Sequence, residues 1–151
     1  MNTVITYGTF DLFHVGHVRL LKRLRDLGDR LVVGVSTDEF NAGKGKTSVM
    51  PYQHRAEIVA ASRYVDHVFP ESSWDQKPAD IEREGARIFA MGDDWVGKFD
   101  HLGDICEVVY LPRTRDISST EIRQLLHALQ QERVHELRRA TEHLHQLVAA
   151  L

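Results

Sequence analysis

Apolar positions open the chain as a short run, Val4-Ile5-Thr6-Tyr7, and then recur at helical spacing as Leu20, Leu21, Leu24 and Leu27. The pattern predicts a strand, a turn and a helix that starts at about His14 and runs to about Leu27, with Gly28 as its stop. Arg30-Leu31-Val32-Val33-Gly34-Val35-Ser36 is a near-continuous apolar run of the kind buried in parallel sheets. The first unit therefore reads strand, helix, strand, with a right-handed crossover. Between Thr37 and Met50 the apolar pattern lapses, and Asn41-Ala42-Gly43-Lys44-Gly45-Lys46-Thr47-Ser48 reads as a loop with two glycines and two lysines. Pro51 opens a helix carrying Ile58, Val59, Ala60 and Ala61. Val65 to Phe69 predicts a short strand, about Pro78 to Glu84 a helix, Ile88 to Met91 a strand, and Glu107 to Leu111 a fifth strand. This alternation predicts an α/β fold built on a parallel sheet.

From Gln124 to Leu151 the pattern changes. Leu137, Leu144 and Leu151 are seven apart, and Ala140, Leu147 and Val148 fill the same stripe, which predicts one or two amphipathic helices. We expect a main domain over residues 1–130 and a C-terminal amphipathic helix over 131–151, serving self-association or packing on the domain. The histidines from His127 to His145 are spaced eight, eight and two apart, too poorly for one metal site, and read as solvated.

A chain of 151 residues is the size of one domain, and 42% hydrophobic residues with a formal charge of -3 describe an ordinary globular protein. The basic excess of a nucleic-acid binder is missing, so no nucleic-acid partner is expected. The N-terminus enters an apolar strand without a basic region or a long apolar segment, which predicts no secretion signal, no membrane partner and a cytoplasmic location. Cys106 is the single cysteine and reads as a small hydrophobe on a strand.

The densest chemistry lies in Tyr7-Gly8-Thr9-Phe10-Asp11-Leu12-Phe13-His14-Val15-Gly16-His17, at the carboxyl end of the first strand, where α/β sheets place ligands. Gly8 and Gly16 allow close approach of a ligand, and the free N–H groups of the helix start favour an anion. His14 and His17, three apart, can each donate to a phosphate oxygen without a permanent charge. Half of a zinc site is set aside because no further Cys, His or carboxylate lies at ligand spacing, and read alone the pair is as well explained as two solvated helix-start residues. The Lys44 and Lys46 loop leaves the same sheet edge, as a flap over phosphates or as a plain surface loop. Arg55 and Arg63, eight apart, can share a face, although each alone reads as solvated. After the last strand, Ser118 and Glu121 form a capping box for a second helix start. Its N–H groups, with Arg113 and the hydroxyls of Thr114, Ser118 and Ser119, suit a triphosphate. No Gly-x-x-x-x-Gly-Lys-Ser/Thr loop, no Gly-x-Gly-x-x-Gly fingerprint and no nucleophile triad is present. The chemistry that remains is in-line attack by a substrate oxyanion on a nucleotide phosphorus.

The run from Thr6 to His17 resembles the His-x-Gly-His nucleotidylyltransferase superfamily. Roughly the first 125 residues resemble its glycerol-3-phosphate cytidylyltransferase family, through Ser36-Thr37-Asp38-Glu39-Phe40-Asn41, Arg63-Tyr64-Val65-Asp66, Met91-Gly92-Asp93-Asp94-Trp95-Val96-Gly97-Lys98-Phe99-Asp100 and Glu107-Val108-Val109-Tyr110-Leu111-Pro112-Arg113-Thr114. The resemblance implies a Rossmann-like parallel five-stranded sheet flanked by helices, and the C-terminal helical extension expected from the leucine stripe lies beyond the part that carries it. It implies CTP and glycerol 3-phosphate as substrates, CDP-glycerol and pyrophosphate as products, and Mg²⁺ carried with CTP; a homodimer is expected besides, from the C-terminal stripe. Relatives acting on ribitol or ethanolamine phosphate, or using ATP, are the alternative, and a nucleotide-binding module without turnover is a more remote one. By the same resemblance His14, His17, Lys46 and Arg113 are catalytic. Thr9, Phe10, Asp94, Thr114, Ile117, Ser118 and Ser119 join them at the nucleotide, and Asp11, Lys44, Arg63 and Lys77 bind the acceptor. Asp116 stands where the family pattern has glycine, and its charge sits poorly beside a triphosphate.

Overall fold

The computed structural model describes residues 1–113 and 118–151. Strands β1 (Thr3–Gly8), β2 (Arg30–Ser36), β3 (His67–Glu71), β4 (Ala86–Gly92) and β5 (Glu107–Leu111) form one sheet in the order β3-β2-β1-β4-β5, each neighbouring pair parallel. The helices are α1 (Val15–Arg25), α2 (Asp38–Gly43), α3 (Tyr52–Ala60), α4 (Lys77–Glu84) and α5 (Ser119–Ala149). The expected Rossmann-like sheet with a C-terminal helix is what forms.

Both faces of the sheet are covered, which is why its strands read as unbroken apolar runs. On one face Val4, Leu31, Val33, Val35 and Ala90 pack with Leu21 and Leu24 of α1 and Val59 of α3. On the other, Ile5, Tyr7, Val32, Phe69, Phe89 and Met91 pack with Ile81 of α4 and with Phe99 and Leu102 from the segment before β5. Strand order reverses between β1 and β4, so the carboxyl end of β1 opens onto the crevice where α/β folds bind ligands.

Three local expectations are corrected. Helix α1 stops at Arg25, with Asp26 as a right-handed cap, so Gly28 is not its stop. Gly28 is needed for close approach instead: a Cβ there would lie 2.4 Å from the Asn2 carbonyl oxygen. The supposed loop after Thr37 begins as α2, whose Thr37 cap accepts a hydrogen bond from the Phe40 N–H and whose first turn carries Asp38 and Glu39 against the helix dipole. Strand β3 runs on through Pro70 and Glu71, because as an edge strand it tolerates the missing proline N–H.

Chain contacts divide the protein into two compact units, Met1–Ile117 and Ser118–Leu151. The second unit is α5, one helix of 31 residues that continues without a break through residue 130. Its start is the predicted capping box: the Ser118 hydroxyl accepts from the Glu121 N–H, and the Glu121 carboxylate accepts from the Ser118 N–H. Leu137, Leu144, Leu147 and Val148 are exposed along it.

Candidate active site

The turn from β1 into α1 is held in a costly conformation. Phe10 and Leu12 have φ of 53° and 50°, the left-handed region, at a cost of about 1–3 kcal/mol each for such bulky residues. Between them Asp11 is buried, and its carboxylate accepts hydrogen bonds from the Leu12, Val49 and Met50 N–H groups at 3.1, 2.8 and 3.0 Å. Asp11 therefore ties this turn to the far end of the lysine loop. Gly8 makes room for the folded-back Phe10: a Cβ at Gly8 would sit 2.8 Å from the Phe10 ring.

His14 and His17 meet at the start of α1. His14 is the N-cap, its Nδ1 accepts from the Gly16 N–H at 3.0 Å, and the His17 Nδ1 accepts from the His14 N–H at 3.2 Å. The two rings thus form a reciprocal cap, with centroids 4.0 Å apart. A neutral imidazole that accepts at Nδ1 carries its proton on Nε2, the donor a phosphate oxygen requires. The His17 ring lies against Phe10 and stacks on Phe13. Burial, reinforced by the neighbouring His14 and only partly opposed by Asp11, pushes its pKa down to about 4, so it is neutral at pH 7.

Toward β2 and β3, Lys44 and Lys77 come together. The Lys44 Nζ lies 4.1 Å from the Phe40 ring centroid and 5.3 Å from that of Trp74. The buried Lys77 Nζ is 5.0 Å from the Trp74 centroid and 4.5 Å from that of Tyr7. Burial holds the Lys44 ammonium below the ordinary lysine range, with Glu71 opposing the shift and Lys46 and Lys77 adding to it. Thr9 is half-buried, its hydroxyl 3.4 Å from the buried Asn41 side chain. Lys46 is exposed, and its N–H donates to the Asn41 carbonyl at 2.9 Å.

On the β4 and β5 side, Asp94 is exposed in a turn of 3-10 helix that follows β4. The neighbouring Asp93 accepts from the Arg113 N–H at 3.3 Å, linking that turn to the end of β5. Arg113 borders a groove of about 470 Å³ shared with Arg19, Lys22, Arg23, Asp26 and Pro112. Among the described residues four cations face one acid here, a balance that favours phosphates. Thr114, Asp116 and Ile117 lie outside the described residues. Ser118 and Ser119 begin the second unit. Arg63 is exposed between α3 and β3, at the amino edge of the sheet and away from the histidine turn.

Sequence reasoning missed what holds these groups in place. Arg55 is fully buried, which corrects its solvated reading, and donates to the carbonyls of Met50, Thr9 and Ser36 and to Asp38. It clamps the carboxyl ends of β1 and β2 to α2, and with the Tyr52 N–H, the larger influence, it holds the Asp38 carboxyl below its usual range. Asp80 is also buried, accepting from the Tyr7 hydroxyl, the Gln76 amide and Arg83. Spacing marks only the Gln76 and Arg83 contacts of Asp80; the carbonyls that Arg55 serves and the Tyr7 hydroxyl on Asp80 come from other elements, where no spacing rule reaches.

The profile of the family described as "Cytidylyltransferase-like" matches residues 5–125. The glycerol-3-phosphate cytidylyltransferase of Bacillus subtilis (strain 168) is 57% identical over 124 residues, 82% of this chain and 96% of that protein. The enzyme of the same name from Staphylococcus aureus (strain NCTC 8325 / PS 47) is 52% identical over 127 residues, 84% of this chain and 96% of that one. Among solved structures, the lipopolysaccharide core biosynthesis protein from Thermoplasma volcanium GSS1 superposes with a TM-score of 0.65 at 26% identity, covering 76% of this chain and 98% of its own.

Proposed function

The chain belongs to the cytidylyltransferase-like family, and from that premise we propose that it is an enzyme moving CMP from CTP to glycerol 3-phosphate, giving CDP-glycerol and pyrophosphate. The observation that carries this reading is the imidazole pair capping α1 at the switch edge of the sheet, both rings accepting at Nδ1. A phosphate monoester is already ionised at neutral pH and needs no general base. One of its oxygens bonds to the α-phosphorus while the bond to the α–β bridging oxygen breaks. That electron pair leaves with pyrophosphate, and no proton moves. The site's work is then positioning and charge stabilisation.

His14 and His17 donate from Nε2 to the oxygens that gain charge. Lys46 and Arg113 neutralise the triphosphate, and Thr9, Phe10, Asp94, Thr114, Ile117, Ser118 and Ser119 complete the nucleotide site. Lys44 and Lys77 take the acceptor's phosphate. Asp11 contributes by holding the turn and the lysine loop, since its carboxylate already serves three backbone N–H groups. Arg63 has no place in this scheme within its own chain. Mg²⁺ enters with CTP. Among the described residues no group of three His, Cys, Asp or Glu is placed to hold an ion, so phosphate oxygens and water would supply most of its ligands.

A cytoplasmic location suits these substrates. Among the described residues no helix is long and apolar enough to cross a membrane. We also read the chain as a homodimer, with the exposed stripe of α5 as its contact. The activity is tested by pyrophosphate release with CTP or ATP against glycerol, ribitol and ethanolamine phosphates. CTP with glycerol 3-phosphate should give the highest kcat/KM. A higher value for another pair, or no release from any, overturns the assignment.

A further inference from the structure

Glu71 ends β3 with only 3% of its surface exposed. One of its carboxylate oxygens accepts from the Ser36 hydroxyl at 2.7 Å, and the other accepts from the Lys77 Nζ at 2.7 Å. Ser36 is the register partner of Glu71 across β2 and β3, and the Lys44 Nζ lies 3.5 Å from the Ser36 hydroxyl oxygen. Two ammonium groups, one at the end of α2 and one at the first residue of α4, are thereby connected through one buried carboxylate and one buried hydroxyl.

Stability is a weak reason for this arrangement, because a buried ion pair is often no better than apolar packing of the same volume. Ligand geometry is a better one. An ammonium has three donors, so after these hydrogen bonds each lysine keeps two that can turn to an anion. The other buried carboxylate nearby, Asp80, is committed to Tyr7, Gln76 and Arg83. Two lysines against one Glu71 leave the cluster one positive charge in surplus, beside the rings of Phe40, Trp74, Tyr7 and Phe99.

We propose that Glu71 is a positioning residue for the acceptor: it fixes Lys77 directly, and Lys44 through Ser36, so that both ammoniums close on one phosphate monoester. The inference rests on the reading that these lysines take the acceptor's phosphate. Glu71 touches neither the nucleotide nor the reacting atoms, so its loss bears on the acceptor's KM.

The test is steady-state kinetics of Glu71→Gln and Glu71→Asp with CTP and glycerol 3-phosphate, each variant checked for a wild-type near-UV circular dichroism spectrum. Glu71→Gln should raise the KM for glycerol 3-phosphate about tenfold or more, the scale of a lost charge-assisted hydrogen bond. The KM for CTP and the kcat should stay near wild type, and Glu71→Asp should recover part of the loss. An unchanged acceptor KM overturns the proposal, as does a parallel fall of kcat and rise of both KM values in a folded variant. If Glu71→Gln does not fold, Ser36→Ala decides: it cuts only the Lys44 branch and should raise the acceptor KM alone, and an unchanged value overturns the proposal. Wild-type protein without turnover on this substrate pair would overturn the functional reading itself. Active wild type with an indifferent Glu71→Gln overturns only the role of Glu71.

Discussion

Each of the two histidines closes the helix start through Nδ1, and on the proposed reading Nε2 is the donor for a ligand. His14→Ala and His17→Ala should each lower kcat at least about a hundredfold, the scale for losing one donor to developing transition-state charge. A folded variant of either kind with wild-type kcat would sink the role of that ring. His17 also makes stability depend on pH. An unfolded chain takes up a proton on this ring near 6.5, whereas the folded ring accepts one only near 4. Its contribution is therefore complete above 6.5 and is lost as pH falls toward 4. Urea unfolding free energies between pH 7 and 4 should slope by up to about one proton from this ring, and His17→Asn should flatten that slope. An unchanged slope in the variant would rule the ring out as its source.

Elements differ in how plainly the chain announces them. Strands β2 and β5 span the stretches that the sequence marks for them: β2 is buried from Leu31 to Ser36, and β5, although a half-buried edge strand with an exposed Glu107, still carries the unbroken run Val108-Val109-Tyr110-Leu111. Helix α2 was hidden because its six residues are too few for a stripe and only Thr37, Asp38 and Glu39 signal it. The histidine turn was legible because its chemistry is local in sequence. Glu71 and Arg55 were not, because what defines them are partners on other elements: Ser36 and Lys77 for Glu71, and Asp38 with the Thr9, Ser36 and Met50 carbonyls for Arg55. Arg55 carries a consequence for the elements it joins: Arg55→Met should cost about 3 kcal/mol or more, since three carbonyls and Asp38 lose their donor at once. A urea midpoint within error of wild type, at equal m-value, would show that the clamp does not bear on stability.

At the scale of the whole molecule, the family match ends at residue 125 while α5 continues to Ala149. Each leucine buried on association is worth roughly 1.5–3 kcal/mol, so Leu137→Asp with Leu144→Asp should dissociate a dimer held by this stripe and leave turnover intact. Light-scattering mass with kcat, for that variant and for a chain ending at Gln130, is the measurement. Unchanged mass removes α5 as the contact, and activity lost at unchanged mass would mean that the extension serves the chemistry. The reversal of strand order at β1 has a consequence of another kind. Lys44, Glu71 and Lys77 are anchored around β2 and β3, whereas Asp94 and Arg113 stand at the ends of β4 and β5, with the histidine turn on the strand between. On the proposed reading, the choice of acceptor and the choice of nucleotide are written in opposite halves of the sheet. On that reading, a change of acceptor and a change of nucleotide call for substitutions at opposite flanks of the sheet, with the histidine turn of β1 left as it is.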